Sequence, residues 1–496
     1  MTLFFGVDVG TSSTKAVLVD ADGRVLRSAT REHAVSRPHP GHVEMDGEVW
    51  WDEFVSLAGE LTEGVEVAAV GVSGMGPCVL LTDAGGTPLR PAVLYGVDTR
   101  ATAQIEALTE RLGGAAAILE RCGSVLSSQA VGPKLAWLAE HEPDVFAAAR
   151  RLFMPASWLA YRLTGAYTLD FHSASQCTPL FDTHALRWYG EWADLIAPAL
   201  ELPPLAWPAD PAGVTHRRIA GIPAGTPVIT GTIDAWTEAV SVDAQNPGDL
   251  MLMYGTTMFL IATVDRPFDD VVTSPAMWGT VGAYPGTRNL AGGMATSGAV
   301  TAWLRELTGA DYPTLLAEAE ASGAGARGLL MLPYLAGERT PLMDPDARGV
   351  LAGLTLGHTR GDLYRAALEA TALGVRHNVE ALREAGAPIR RVVAVGGGTQ
   401  GGLWTRIVSD VTGLAQVVPA VTIGAAYGAA YLAARAAGTD GAEPVPIAAW
   451  NPPAETVAPN PATRAGYDEL YALYRGLYPA TRTIAHTLAA RQRLLA

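Results

Sequence analysis

Two aspartates and two glycine-threonine turns are the residues of this chain whose types and spacing could do chemistry. Asp8 interrupts the apolar, β-branched run Phe4–Val9. A carboxylate in such a strand is costly unless it is solvated, paired or bound to a metal. Asp234 ends a second strand-like run, Val228–Ile233, with a helical stretch directly behind it. Doubly wound sheets bind ligands at such an edge, although an aspartate there also serves as a helix N-cap. Gly10-Thr11-Ser12 follows Asp8, and about half a chain later Gly255-Thr256-Thr257 separates Leu250–Tyr254 from Met258–Ile261. Both stretches read as strand, tight turn, strand. Such turns aim backbone N–H groups and small hydroxyls into one concavity, which suits phosphate oxygens. Either alone would serve as an ordinary hairpin; the repetition points to two similar domains facing a shared polyphosphate.

The elements that must position these residues follow from pattern. A chain of 496 residues exceeds one core and suits two domains of roughly 250 residues. Asn246-Pro247-Gly248-Asp249 is the best boundary, giving domains 1–246 and 247–496. In the first, strands are expected at Val25–Ala34 and Val67–Val72, and helices over Asp46–Leu61 and most of 101–165. In the second, helices are expected at Gly298–Leu307, Asp362–Glu384, Leu403–Val411 and Ala425–Ala436, the last of the core. The helix from Asp362 carries Leu363, Ala366, Ala367, Ala370 and Leu373 on one face.

With 49% apolar and 17% charged residues, the composition is that of a soluble globular protein. A net charge of −15 argues against nucleic acid or an anionic membrane as partner, while an anionic nucleotide could still bind through local dipoles and a metal ion. The only lysines are Lys15 and Lys134, which reads as genome composition. Cys78, Cys122 and Cys177 are widely spaced, as reduced thiols in a cytoplasmic protein would be. Neither a signal peptide nor a membrane-spanning run is expected, and a homodimer is compatible with all of this.

Two nucleotide motifs can be set aside. There is no GxxxxGK[ST]. Gly396-Gly397-Gly398-Thr399-Gln400-Gly401 lies between strand and helix, but the region some 20 residues on, Val417-Val418-Pro419-Ala420, offers no acid for a ribose, so a dinucleotide-binding Rossmann unit is not indicated. A Gly-rich turn at a helix start still lets an adenine or ribose approach the backbone closely.

Together these residues resemble the FGGY carbohydrate kinases of the actin-like ATPase superfamily. The likeness extends from Gly6 to about Ala434, and its most specific piece is Gly349-Val350-Leu351-Ala352-Gly353-Leu354, seven residues, then Asp362-Leu363-Tyr364-Arg365-Ala366-Ala367-Leu368-Glu369. Gly337-Glu338-Arg339-Thr340-Pro341 precedes it, and the loops at residues 8–12, 255–257 and 396–398 fall in the family's order. The resemblance implies an α/β fold of two RNase H-like domains with a central interdomain cleft, and ATP-dependent phosphorylation of a sugar or polyol hydroxyl. It implies Asp234 as general base and Asp8 as a carboxylate placing Mg2+, with both aspartates near the metal. Thr11 and Ser12 would face the γ-phosphate, Gly255, Thr256 and Thr257 the inner phosphates, and Gly397, Gly398 and Thr399 the adenosine.

For the sugar, the resemblance points to Met75 and Gly76 after the strand end at Val72-Ser73, to Tyr95, and to Asp98 and Arg100 as partners for hydroxyls. Arg100 reads equally as an early helix residue paired with a nearby acid. Glycerol kinases carry Arg-Glu where this chain has Gly76-Pro77, and xylulokinases carry a His that is absent here. After Asp234 the family often has Asn or Gln, replaced here by Ala235-Trp236. Length and motif style lean toward a ketopentose such as xylulose or ribulose. The rivals are a kinase for gluconate, a deoxyketose or an erythritol-type polyol, and a non-catalytic sugar sensor, which would be expected to have lost Asp8 or Asp234.

Overall fold

The computed structural model describes residues 1–267, 274–438 and 445–495. The chain packs as two units. One comprises Met1–Asn246 with 265–289 and 423–452; the other comprises Pro247–Val264, 290–422 and 453–496. The sequence boundary at Asn246 is thus the first of several crossings, and two later segments return to the first unit.

Each unit is built on a mixed sheet, and the two sheets repeat one plan. In the first, the strands run Pro211–Val214, Pro227–Ile229, Ala69–Gly74, Leu3–Val9, Ser13–Asp20 and Val25–Glu32, with the short Thr232–Ile233 also beside Ala69–Gly74. In the second they run Pro453–Val457, Gln416–Pro419, Arg391–Val395, Asp249–Tyr254, Met258–Val264 and the strand ending at Met294. The Leu3–Val9/Ser13–Asp20 hairpin corresponds to Asp249–Tyr254/Met258–Val264, and each first strand has a parallel neighbour on its other side. Parallel pairing aligns strand ends, so residues far apart in sequence gather at one edge of each sheet.

Helices cover the sheets where apolar spacing predicts. Gly47–Leu61 is N-capped by Asp46 and buries Trp50, Phe54 and Leu57 against Phe5, Val7, Val70 and Val72. Arg360–Glu384 starts with a capping box, in which Asp362 takes the Thr359 N–H at 2.7 Å. The last helix, Arg464–Arg493, lies beyond every helix expected from the sequence and contains Pro479. Its Tyr467 hydroxyl joins the buried Arg365–Glu369 pair, 2.8 Å from each side chain.

Ala425–Ala437 belongs to the first unit because glycines let it settle onto the sheet. A Cβ on Gly71 would stand 1.9 Å from the Ala429 carbonyl oxygen, and one on Gly6 2.1 Å from that of Ala426. Gly71→Ala is therefore expected to destabilise the fold by about 3 kcal/mol, the upper end of ordinary overpacking. Urea unfolding with an unchanged midpoint would show that this helix does not rest on the strand as described.

Candidate functional site

Strand register builds the acidic centre of the first unit. Asp8 lies opposite Ser73 in the parallel pair, and Thr232 of the next strand lies opposite the same serine. Asp8, Ser73 and Thr232 thus form a row across three strands, and Asp234 opens helix Asp234–Ser241 just beyond its end. Ile233, not Asp234, is the N-cap; Asp234 is the first helical residue, its Oδ1 accepting the Ala235 N–H at 2.7 Å.

The charge of Asp234 acts on Asp8. Burial first, and then the charge of Asp234, hold Asp8 well above the usual carboxylate range, with Ser73 and Lys15 opposing. Burial raises Asp234 too, against the Ala235 N–H. Glu238, one turn further along the helix, is pushed up to about 7 by burial, with Lys15 opposing and Asp234 adding to the shift. Lys15 faces Asp8 directly across the hairpin. One Asp8 oxygen is buried without a hydrogen-bond partner. An orphaned carboxylate oxygen repelled by a second carboxylate is what a bound cation would relieve. Among the described residues no set of three or more His, Cys, Asp or Glu side chains frames a metal. Mg2+ tolerates that poverty, because it keeps water and phosphate oxygens and needs only one or two carboxylates. The residues present fit it.

A buried network engages Thr232 and Trp236, the residues two before and two after Asp234. The Thr232 hydroxyl donates to Asp170 Oδ1 at 2.7 Å, and Asp170 in turn caps helix Phe171–Ser175 through the Ser173 N–H at 3.0 Å. His172 packs against Trp236, the rings tilted by 32° with centroids 3.9 Å apart, and donates through Nδ1 to the Val281 carbonyl at 2.7 Å. The Trp236 indole donates to Asn289 Oδ1 at 3.0 Å. Sequence reasoning singled out none of Asp170, His172 or Glu238. Two signals were present: aspartate followed by serine three residues on, a capping pattern, and an acid four residues after Asp234, hence on the same helical face.

The predicted loops sort into exposed and enclosed groups. His33 braces the first turn, its Nε2 3.0 Å from the Gly10 carbonyl and its Nδ1 2.9 Å from Glu53 Oε2, while Ser12 is left exposed. The Thr11 and Tyr95 hydroxyls are 2.8 Å apart, so the expected phosphate loop and sugar loop touch. Met75 is buried and donates its N–H to the Val9 carbonyl at 2.7 Å, and Gly76 lies against Ile233. Asp98 and Arg100 lie within an enclosed ion-pair network. The Arg100 guanidinium is enclosed, 2.7 Å from Asp98 Oδ2 and 2.7 Å from Glu44 Oε1, and Asp98 Oδ2 also takes the Val43 N–H at 2.6 Å. The acid-paired alternative for Arg100 is thus present in the fold, and the pair stiffens the loop. Gly96 is held from the other side, its N–H donating to Gln129 Oε1 at 3.0 Å and its carbonyl accepting from Ser128 Oγ at 3.0 Å. Lys134 is buried beneath, its ammonium bound to the Ser128 carbonyl and lowered to about 8 by burial. One of two lysines in an arginine-using chain thus has a structural post that composition alone concealed.

In the second unit, the Gly255–Thr257 turn opens onto a cavity of about 560 Å³. Gly255, Thr256, Gly397 and Gly398 line it together with Tyr312 and Gln400. That volume falls in the range of ligand pockets. Thr257 and Thr399 are not among the lining residues; the Thr399 hydroxyl instead donates to the Gly396 carbonyl at 2.9 Å. The turn is braced by the next helix, with Ser297 N–H donating to Thr256 O at 3.0 Å and Gly298 N–H to Gly255 O at 2.9 Å. Gly396 adopts φ +93°, and a Cβ there would come within 2.6 Å of the Tyr254 carbonyl oxygen.

Comparison with known proteins identifies the family and the fold. Residues 3–241 match the N-terminal domain, and residues 250–437 the C-terminal domain, of the FGGY family of carbohydrate kinases. Xylulose kinase of Escherichia coli is 31% identical over 450 residues, 88% of this chain and 90% of its own length. Glycerol kinase of Alkalilimnicola ehrlichii is 32% identical over 476 residues, covering 91% and 93%. The crystal structure of xylulose kinase from Rhodospirillum rubrum superimposes with a TM-score of 0.90 at 31% identity, over 98% of this chain and all of that one. The two-domain α/β fold of the actin-like ATPase sugar kinases is therefore the fold found here.

Proposed function

This chain belongs to the FGGY family of carbohydrate kinases, and on that premise we propose that it transfers the γ-phosphoryl group of ATP to a hydroxyl of a ketopentose of the xylulose or ribulose type. The observation that carries the reading is the meeting of Asp8 and Asp234 at one sheet edge, beside the Thr11–Tyr95 contact. Asp234 takes the proton from the attacking hydroxyl as the new O–P bond forms and the bond to ADP breaks. Burial lifts its basicity toward neutral pH, where a base works best. Thr11 and Ser12 orient the γ-phosphate; Gly255, Thr256 and Thr257 hold the inner phosphates, and Gly397, Gly398 and Thr399 the nucleoside. Mg2+, when bound with the nucleotide, supplies charge neutralisation on the phosphates, and Asp8 with Asp234 would hold it. Met75, Gly76 and Tyr95 shape the sugar site, with Asp98 and Arg100 setting the loop that carries Tyr95. Positioning and charge neutralisation are the main requirements of phosphoryl transfer, and no exotic side chain is needed.

The lean toward ketopentoses rests on the xylulose kinases among the relatives and on Gly76-Pro77, which provides neither side chain of the Arg-Glu pair associated with glycerol. The similarity to glycerol kinases makes glycerol the second reading. ADP release measured over xylulose, ribulose, gluconate, erythritol and glycerol separates them. A ketopentose is expected to exceed every other acceptor in kcat/KM by about tenfold or more, the scale of pocket discrimination. Turnover with glycerol and none with either ketopentose would overturn the assignment. Among the described residues no helix is long and apolar enough to cross a membrane. A cytoplasmic site of action is part of the same proposal.

A further inference from the structure

The Gly337–Pro341 stretch is not part of the lining of the 560 Å³ cavity. Its Glu338 is buried, and its Oε1 accepts two backbone donors, the Ala295 N–H at 2.9 Å and the Arg339 N–H at 2.7 Å. Ala295 opens the short segment whose Ser297, Gly298 and Ala299 N–H groups bind the carbonyls of Gly255 and Thr256 at 2.9–3.1 Å. The glycine of that segment is pressed against the turn: a Cβ on Gly298 would stand 2.6 Å from the Gly255 carbonyl oxygen. A single carboxylate therefore fixes the start of the segment that supports the turn lining the 560 Å³ cavity.

The other end of the loop is tied down as well. Glu338 and Asp344 exchange backbone hydrogen bonds at 2.8 and 2.9 Å. Asp344 Oδ2 accepts from the Tyr478 hydroxyl at 2.6 Å and lies 2.7 Å from His486 Nε2, both on the C-terminal helix. A buried carboxylate with backbone donors as its main partners is a poor choice for stability, since apolar packing would avoid the desolvation. A charged acceptor does make its hydrogen bonds shorter and stronger than a neutral one, which matters where a backbone segment must be held still.

We propose that Glu338 is a positioning residue for the nucleotide half of the reaction, locking Ala295–Gly298 and through it the Gly255–Thr257 turn in the conformation that receives phosphate oxygens. The proposal rests on the reading of that turn as a phosphate contact. Burial pushes Glu338 up to about 7, the two N–H donors and Arg339 opposing. Tyr334 and Tyr474 also interact with it, both buried phenols that stay neutral through this range. As pH rises through neutrality the Glu338 carboxylate gains charge, its hold on Ala295 tightens, and ATP affinity improves.

Steady-state kinetics of Glu338→Ala, Glu338→Gln and Thr256→Glu, with ATP and the sugar varied separately between pH 6 and 8.5, test this. Glu338→Ala is expected to raise KM for ATP about tenfold or more, the equivalent of a lost charge-assisted hydrogen bond, with KM for the sugar within about twofold. Glu338→Gln keeps an acceptor oxygen of the same shape; it should recover most of the ATP affinity while losing the pH dependence of KM for ATP. That flattening remains the readout should the alanine variant fail to fold. Thr256→Glu sets a carboxylate on the exposed turn and should repel ATP on the phosphate reading. If it leaves KM for ATP unchanged, the phosphate reading fails and the role of Glu338 falls with it. If Thr256→Glu raises KM for ATP while Glu338→Ala shifts both KM values equally or neither, the positioning role alone is overturned.

Discussion

Asp234→Asn is expected to lower kcat by about 10²–10⁴-fold, the usual contribution of a general base, while ATP still binds. The asparagine side chain keeps the shape and can still accept the Ala235 N–H, so the helix start survives; what disappears is a proton acceptor. Because burial holds the Asp234 carboxyl above its ordinary range, the wild-type rate should rise with pH through that raised value, and the variant should lose this acid limb. Calorimetry without Mg2+ should find the ATP dissociation constant within about threefold of wild type, because the cavity proposed for the nucleotide is lined from the second unit. An unaltered turnover number would remove Asp234 from the role of base. A lost ATP affinity would make it chiefly a metal or phosphate residue.

The parts of this site that were legible in the sequence are those that local pattern encodes. Alternation and turn residues mark both hairpins, and helical spacing marks the helix after Thr359 to within two residues at its start. Asp8 stood out because a charge in an apolar strand needs a reason. Strand register, by contrast, is a pairwise property, and nothing in Ala69–Gly74 alone reveals that Ser73 faces both Asp8 and Thr232. Arg100 looked like a donor for sugar hydroxyls because its partner Glu44 lies 56 positions earlier and the ion pair closes only on folding. Helix Ala425–Ala437 was visible as a helix, while its seat was not. The glycines that admit it, Gly6 and Gly71, sit inside strands where glycine ordinarily weakens pairing, and their use becomes clear only when Ala426 and Ala429 approach them. Pro479 interrupts the helical pattern of Arg464–Arg493, the longest helix among the described residues. Tertiary pairing, not propensity, decided the register, the ion pair and the seat of the helix.

Asp8→Asn is expected to make the protein more stable without nucleotide and less able to be stabilised by it. In the folded chain Asp8 is raised by burial and by Asp234, and Glu238 is lifted to about 7 beside them. A carboxyl raised on folding adds stability while it stays protonated, and that stability is lost as pH climbs from the ordinary carboxylate range through the raised value. The wild-type protein should therefore unfold more easily at pH 8 than at pH 5 in the absence of Mg2+ and ATP. Asparagine at position 8 removes one of the competing charges, and the variant should gain on the order of 1–3 kcal/mol at pH 8, the scale of one unsatisfied buried polar group. The gain should shrink as pH falls toward 5, where the folded wild-type acid is neutral. With Mg2+ and ATP the order reverses: binding to the folded state raises the wild-type melting temperature by mass action, and the variant, short of a carboxylate for the cation, follows only weakly. Melting curves at pH 5 and 8, with and without Mg2+ and ATP, give all four comparisons. A variant less stable than wild type at pH 8 without ligand would mean that Asp8 is already compensated inside the fold, and the account of a strained acid pair awaiting a cation would fail.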